Sequence, residues 1–222
     1  MPTPMVHFTR ILRIAGLASL VAGFTLAASL PGPAVDENRS EKKSETVVLA
    51  GGCFWGVEAV FDAVKGVSEA VAGYAGGSKA NAHYEIVSTG TTGHAESVQV
   101  TYDPTQISIG QLLKIYFSVA HDPTELNRQG PDEGTQYRSE IFYTSDEQKR
   151  IAEAYIQQLN AAKVFRSPIV TKVAPLQAFY RAEEYHQHYV EHNPHQPYVA
   201  YNDLPKLTNL RSEFPELLKG SK

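Results

Sequence analysis

Apolar strand-like runs alternating with helix-like patterns predict an α/β or α+β sandwich for this chain. Three observations carry that reading. Short apolar stretches occupy 46–50, 96–102, 140–144 and 168–173, and segments of helical period lie between and after them. No internal repeat or low-complexity tract interrupts the alternation. The 188 residues that follow a 34-residue leader suffice for one domain with a sizeable core and are marginal for two.

The leader comes first along the chain. Arg10 and Arg13 precede an uncharged apolar stretch from Ile14 to Leu30, and the small residues Gly32 and Ala34 offer a cleavage site before Val35. Residues 1–34 read as a secretory signal peptide, which predicts a periplasmic or secreted protein. An uncleaved N-terminal membrane anchor is the alternative, although Pro31 and Pro33 end a stretch that is short for a span. Residues 35–45 are charged and polar, a tether with little to bury, and the fold proper is expected over 46–222.

Within the fold, the run 46–50 leads through Gly51-Gly52 into Cys53 and a helix-like pattern over 54–64, with Val57, Val60, Phe61 and Val64 on one side. Helical spacing returns over 109–120 through Leu112, Leu113, Tyr116 and Phe117. Ser145-Asp146-Glu147-Gln148 has the form of a capping box opening a helix to about Asn160. Phe179, Tyr185 and Tyr189 suggest a last helix over 176–192. Gly73–Gly77 and Gly130–Tyr137 are rich in turn formers and read as loops; neither has the spacing of a phosphate-binding loop.

A net charge of −4 provides no basic surface for nucleic acid. The one cysteine, Cys53, permits no internal disulfide, so it is a reactive thiol or an intermolecular partner. Its place at a strand-to-helix turn puts it at a helix N-terminus, where free N–H groups and the peptide dipole favour a thiolate. Glu96 shares a strand face with Val98, Val100 and Tyr102, so it points inward, and desolvation raises its pKa toward neutrality and fits it to donate a proton. Tyr84 and Tyr137 offer neutral hydroxyl donors beside the loops, and Phe54 and Trp55 could wall a small apolar group. His83, His94 or His121 could serve Cys53 as a base, which keeps a cysteine hydrolase open. A binding module for thioether groups, using Phe54 and Trp55, is a further alternative. His188 and His192 have metal-ligand spacing, but without a cysteine or a well-placed carboxylate to complete the set they read as a solvated face, and no metal is expected.

Gly51-Gly52-Cys53-Phe54-Trp55-Gly56-Val57-Glu58 resembles the signature of the peptide methionine sulfoxide reductase A family. Gly73–Gly77, Tyr84-Glu85, Gly93–Glu96, His121–Thr124, Gln129–Asp132, Gly134–Ser139 and Ala182–Gln187 are similar to further family motifs in the same order, so the resemblance runs from about Val47 to Pro197. It implies a single α+β domain, a two-layer sandwich resembling the ferredoxin-like fold with a mixed sheet. It implies reduction of the S epimer of methionine sulfoxide, free or in proteins. Cys53 would be the nucleophile and become a sulfenic acid, and Glu96 would be the acid. Tyr84 and Tyr137 would bond the sulfoxide oxygen, Phe54 and Trp55 would hold the methyl group, and Asp132 would fix the polar side. The tail from Tyr198 lacks the resolving cysteine that many relatives carry. Without a bound cofactor, an external thiol must therefore regenerate the enzyme: a thioredoxin-like protein, glutaredoxin with glutathione, or dithiothreitol in vitro. Glu133 departs from the apolar residue usual beside the aspartate. A monomer is expected. The only methionines, Met1 and Met5, lie in the leader.

Overall fold

Val47, Val48, Leu49 and Ala50 are fully buried because the strand they form lies inside a six-stranded sheet with a neighbour on each side. The computed structural model describes Met1 and residues 29–37 and 44–220; residues 2–28 of the expected leader lie outside the described residues. In chain order the elements are β1 (Glu45–Ala50), α1 (Phe54–Asp62), β2 (Val67–Ala75), α2 (Tyr84–Val87), β3 (Ala95–Tyr102) and α3 (Ile109–Ile115). A short hairpin of β4 (Arg128–Gln129) and β5 (Asp132–Glu133) follows, then β6 (Glu140–Tyr143), α4 (Asp146–Ala161), β7 (Lys172–Pro175) and β8 (Phe179–Arg181). The chain closes with α5 (Tyr189–His192) and α6 (Leu204–Glu213).

The main sheet has the order β7-β6-β1-β3-β2-β8; only β6 and β7 run parallel, so it is mixed. The main core joins Val47 and Leu49 of β1 and Val98 and Val100 of β3 to Val57, Val60 and Phe61 of α1, Leu112 and Leu113 of α3, and Ile151 and Tyr155 of α4. Val48, Ala50, Ala75, Ala95 and Phe142 form a smaller cluster of their own. This is the α+β arrangement of helices on a mixed sheet that the alternation and the resemblance predict.

Several local expectations change. β2 was not foreseen: its sequence, VSEAVAGYA, is poor in large β-branched residues, and Gly73 read as a turn former. Gly73 is in the strand because β8 lies close beside it, and a Cβ there would run into Phe179 and the Tyr180 carbonyl. The strand expected over 168–173 is displaced to Lys172–Pro175, where it pairs with β6. The helix expected over 176–192 does not form. Its aromatic spacing arises from β8, a 3₁₀ turn at Glu184–His186 and the short α5, and His188 interrupts it at φ 51°. At α4, Ser145 accepts from Gln148 N as expected, but the Gln148 side chain turns to Thr144 N at 2.9 Å. The full capping box is at α3, between Ser108 and Gln111.

The expectation that the tether has little to bury fails for its first residues. Asp36 accepts from Ser108 Oγ at 2.5 Å and Gly110 N at 2.9 Å, and Glu37 accepts from Ile109 N at 2.7 Å. Both acids thus satisfy the free amides of α3 and meet its positive end. Upstream, Tyr155 donates to the Pro31 carbonyl at 2.7 Å, Gln158 bonds Gly32 and Ala34, and Leu30 and Val35 pack on the core.

Candidate active site

The turn between β1 and α1 is shaped by its two glycines. Gly52 has φ 90°, and a side chain there would strike Gln129 of β4; one at Gly51 would strike the His121 ring. Cys53 becomes the N-cap of α1. On β3, Glu96 is 2 % exposed, in phase with Val98 and Val100, and accepts from Phe54 N at 3.1 Å. Cys53, Phe54, Trp55, Tyr84, Glu96, Asp132 and Tyr137, all seven of the residues expected from sequence, line one cavity of about 240 Å³, joined by Gln196 and Tyr198. A larger groove at the end of α4, about 590 Å³, is lined by residues such as Lys163, Phe165 and Arg166 and holds neither a thiol nor a carboxyl.

The electrostatics correct one expectation. Cys53 is buried, 8 % exposed, and its thiol lies well above its usual pKa. Burial is the main cause, followed by the charges of Glu96 and Asp203; the Trp55 backbone N–H and Lys206 pull the other way without prevailing. In the free protein, therefore, the helix N-terminus alone does not make a thiolate. Glu96 behaves as its strand phase predicts: burial pushes it up to about 8, opposed by the Phe54 N–H bond, so at neutral pH it holds a proton. Burial also raises Tyr84 and Tyr137, whose hydroxyls stay neutral donors. Asp132 is half-buried, raised by burial, and accepts a short hydrogen bond from the Tyr198 hydroxyl. Glu133 turns to solvent instead and pairs with Arg128 at 3.5 Å, so its charge lies outside the cavity lining.

The histidines considered as bases are occupied elsewhere. His121 is bonded through Nδ1 to the Tyr116 carbonyl at 3.1 Å and through Nε2 to Ser139 at 2.7 Å, and burial lowers it to about 3. Both ring nitrogens of His94 are engaged with Gly77 and Ser78, and His83 is exposed. None of the three lines the cavity. The hydrolase alternative thereby loses its base.

Four residues that support the site, His186, Tyr189, Tyr198 and Glu183, have no role assigned to them from sequence. His186 accepts from Trp55 Nε1 at 3.0 Å and lies between the rings of Phe54 and Tyr84, with centroids 5.0 and 4.5 Å away; burial lowers its pKa and keeps it neutral. Tyr189 stacks on Trp55 at 3.8 Å, and Tyr198 meets the same indole edge-on. Glu183 accepts from Tyr74 Oη at 2.8 Å and Tyr84 N at 3.0 Å, which fixes the start of α2. The Ala182–Gln187 motif held His186 and Glu183 in plain view, but its apparent helical period hid their direction. Tyr198 had no local signal at all.

A family model described as peptide methionine sulfoxide reductase matches residues 45–218. Among named relatives, peptide methionine sulfoxide reductase MsrA 2 of Mesorhizobium japonicum is 58% identical over 82% of this chain and 93% of its own length. The MsrA 2 of Synechocystis sp. is 50% identical over 92% of this chain and 99% of its own. Among solved structures, Mxr1 from Saccharomyces cerevisiae in reduced form aligns with a TM-score of 0.64 at 35% identity, covering 72% of this chain and 91% of that one. Methionine sulfoxide reductase A of Corynebacterium diphtheriae aligns at 0.60 and 38%, covering 77% and 87%. With its thiol, buried acid and aromatic wall converging on one cavity, this chain belongs to the peptide methionine sulfoxide reductase family, alongside relatives of the MsrA type.

Proposed function

We propose that this reductase acts on the S epimer of methionine sulfoxide, free or in proteins, through a sulfenic acid on Cys53 that external thiols reduce. The observation that carries the reading is the meeting of Cys53 with a protonated, buried Glu96 in one cavity lined by the Tyr84 and Tyr137 hydroxyls. The sulfoxide oxygen gains negative charge as the Cys53 sulfur attacks the substrate sulfur. Glu96 gives it a proton, and the two tyrosine hydroxyls stabilise it without changing their own charge. The net step is Cys53–SH plus sulfoxide to Cys53–SOH plus thioether: the substrate sulfur is reduced, Cys53 is oxidised, and the oxygen changes sulfur. Phe54 and Trp55 form an apolar wall for the methyl group, and Asp132 with Tyr198 marks the polar side. A chiral sulfoxide satisfies wall and donors together in one hand only, which supports selectivity for one epimer.

Regeneration uses two external thiols. The first condenses with Cys53–SOH to a mixed disulfide and water, and the second releases Cys53–SH and a disulfide of the two. A thioredoxin-like protein and glutathione both supply this chemistry. The leader supports export, with oxidised methionines of envelope or secreted proteins as substrates, and the protein works as a monomer. Among the described residues, no helix is long and apolar enough to cross a membrane.

A single turnover without reductant tests the mechanism. One equivalent of S-sulfoxide peptide reduced per protein, none of the R epimer, and one trappable oxygen on Cys53 are expected; Cys53→Ser should show no reduction. Failure to reduce either epimer with an unmodified Cys53 would overturn the reading.

A further inference from the structure

In the sequence, His188 and His192 lack a cysteine or a well-placed carboxylate to complete a metal-ligand set. The fold supplies two. Glu58 and Asp62, one turn apart on α1, both face His188, whose left-handed backbone (φ 51°) precedes α5. The His188 backbone N–H donates to Glu58 Oε2 at 2.8 Å, and its ring Nδ1 lies 2.8 Å from Asp62 Oδ2. One ligand atom from each of the three lies within 4.8 Å of the other two.

A simple hydrogen bond between His188 and Asp62 accounts for those two groups but not for the third. Glu58 is 1 % exposed, and its second oxygen, Oε1, is buried with no hydrogen-bond partner. Buried carboxylate oxygens are nearly always satisfied by a donor or an ion, because leaving one bare forfeits its hydration with nothing in return.

We propose that Glu58, Asp62 and His188 bind one divalent zinc-class ion. One imidazole and two carboxylates suit Zn²⁺, which takes nitrogen and oxygen ligands in sets of three or four. Ca²⁺ needs six or more oxygens, and this cluster offers too few. Half-buried Asp62 and exposed His188 leave a path in from solvent and room for a water ligand. The site clamps α1, whose N-cap is Cys53, to the segment whose Glu183 and His186 hold Tyr84 and Trp55. Its ion stabilises the frame of the active site and takes no part in sulfur chemistry.

The test uses the full chain carrying Cys53→Ser, so that the thiol cannot ligate, with calorimetric titration of Zn²⁺ and, separately, Ca²⁺. One equivalent of Zn²⁺ should bind and raise the thermal midpoint, and Ca²⁺ should not bind. Glu58→Gln, Asp62→Asn and His188→Ala should each weaken Zn²⁺ binding at least tenfold, and His192→Ala should leave it unchanged. Absence of Zn²⁺ binding would overturn the proposal. So would binding that survives Asp62→Asn but is lost in His192→Ala, which would mark a surface imidazole pair. Should Glu58→Gln fail to fold, Asp62→Asn and His188→Ala, at less buried positions, decide the outcome.

Discussion

Burial raises both Cys53 and Glu96, and the Glu96 charge raises Cys53 further, which gives a pH dependence with a definite sign. Glu96 sits up to about 8 and the Cys53 thiol lies well above its usual value. The attacking form needs one proton fewer than the fully protonated pair, yet needs the acid still protonated, so it exists only while the pair carries a single negative charge. We expect kcat/KM to rise as pH approaches 8 and to fall again once the second proton leaves. In Glu96→Gln the falling limb should vanish, and kcat should drop by about 10²–10⁴ with the loss of proton donation. A kcat/KM profile across pH for both proteins checks this. Glu96 was legible because strand alternation fixes its direction from its own neighbours. His186 and Tyr198 were not, since their roles come from partners 131 and 66 residues away. We expect His186→Ala to loosen Trp55 and raise KM several-fold more than it lowers kcat, as measured with an S-sulfoxide peptide.

At the scale of elements, the sequence disclosed those whose burial follows a simple period. α1 and α4 appear within a few residues of expectation because each presents one apolar face to the main core, and β1 and β3 because their runs are buried between the main core and the smaller cluster. β2 and the 176–192 region were obscured because small residues and aromatics there answer to neighbours distant in sequence. The C-terminal tail shows the same effect. α6 carries only a weak apolar stripe, yet Leu210 and Phe214 are buried in the main core, and Lys65 and Lys219 backbone bonds tie the following residues to the end of α1. The residue that precedes α6, buried Asp203, lies 3.5 Å from Lys206 and against Gly56 in the first turn of α1. Leu210→Ala should cost about 2–5 kcal/mol in urea unfolding. The docked segment before β1 is also an element in this sense. Asp36→Ala removes the acceptor for Ser108 Oγ and Gly110 N, and should cost about 0.5–2 kcal/mol in the same experiment.

At the scale of the whole molecule, the sheet and its helices place the chain's one cysteine in the lining of a small, partly open cavity. On the proposed mechanism, a cavity of about 240 Å³ takes a side chain and little more, so the thioether product has to leave before a thiol reaches oxidised Cys53. The proposed steps then place sulfoxide and reductant at the same cavity in alternation. The steady-state signature is double displacement: double-reciprocal plots against sulfoxide at several thiol concentrations should be parallel lines, and each reactant in excess should compete with the other for the form of the protein that it cannot use.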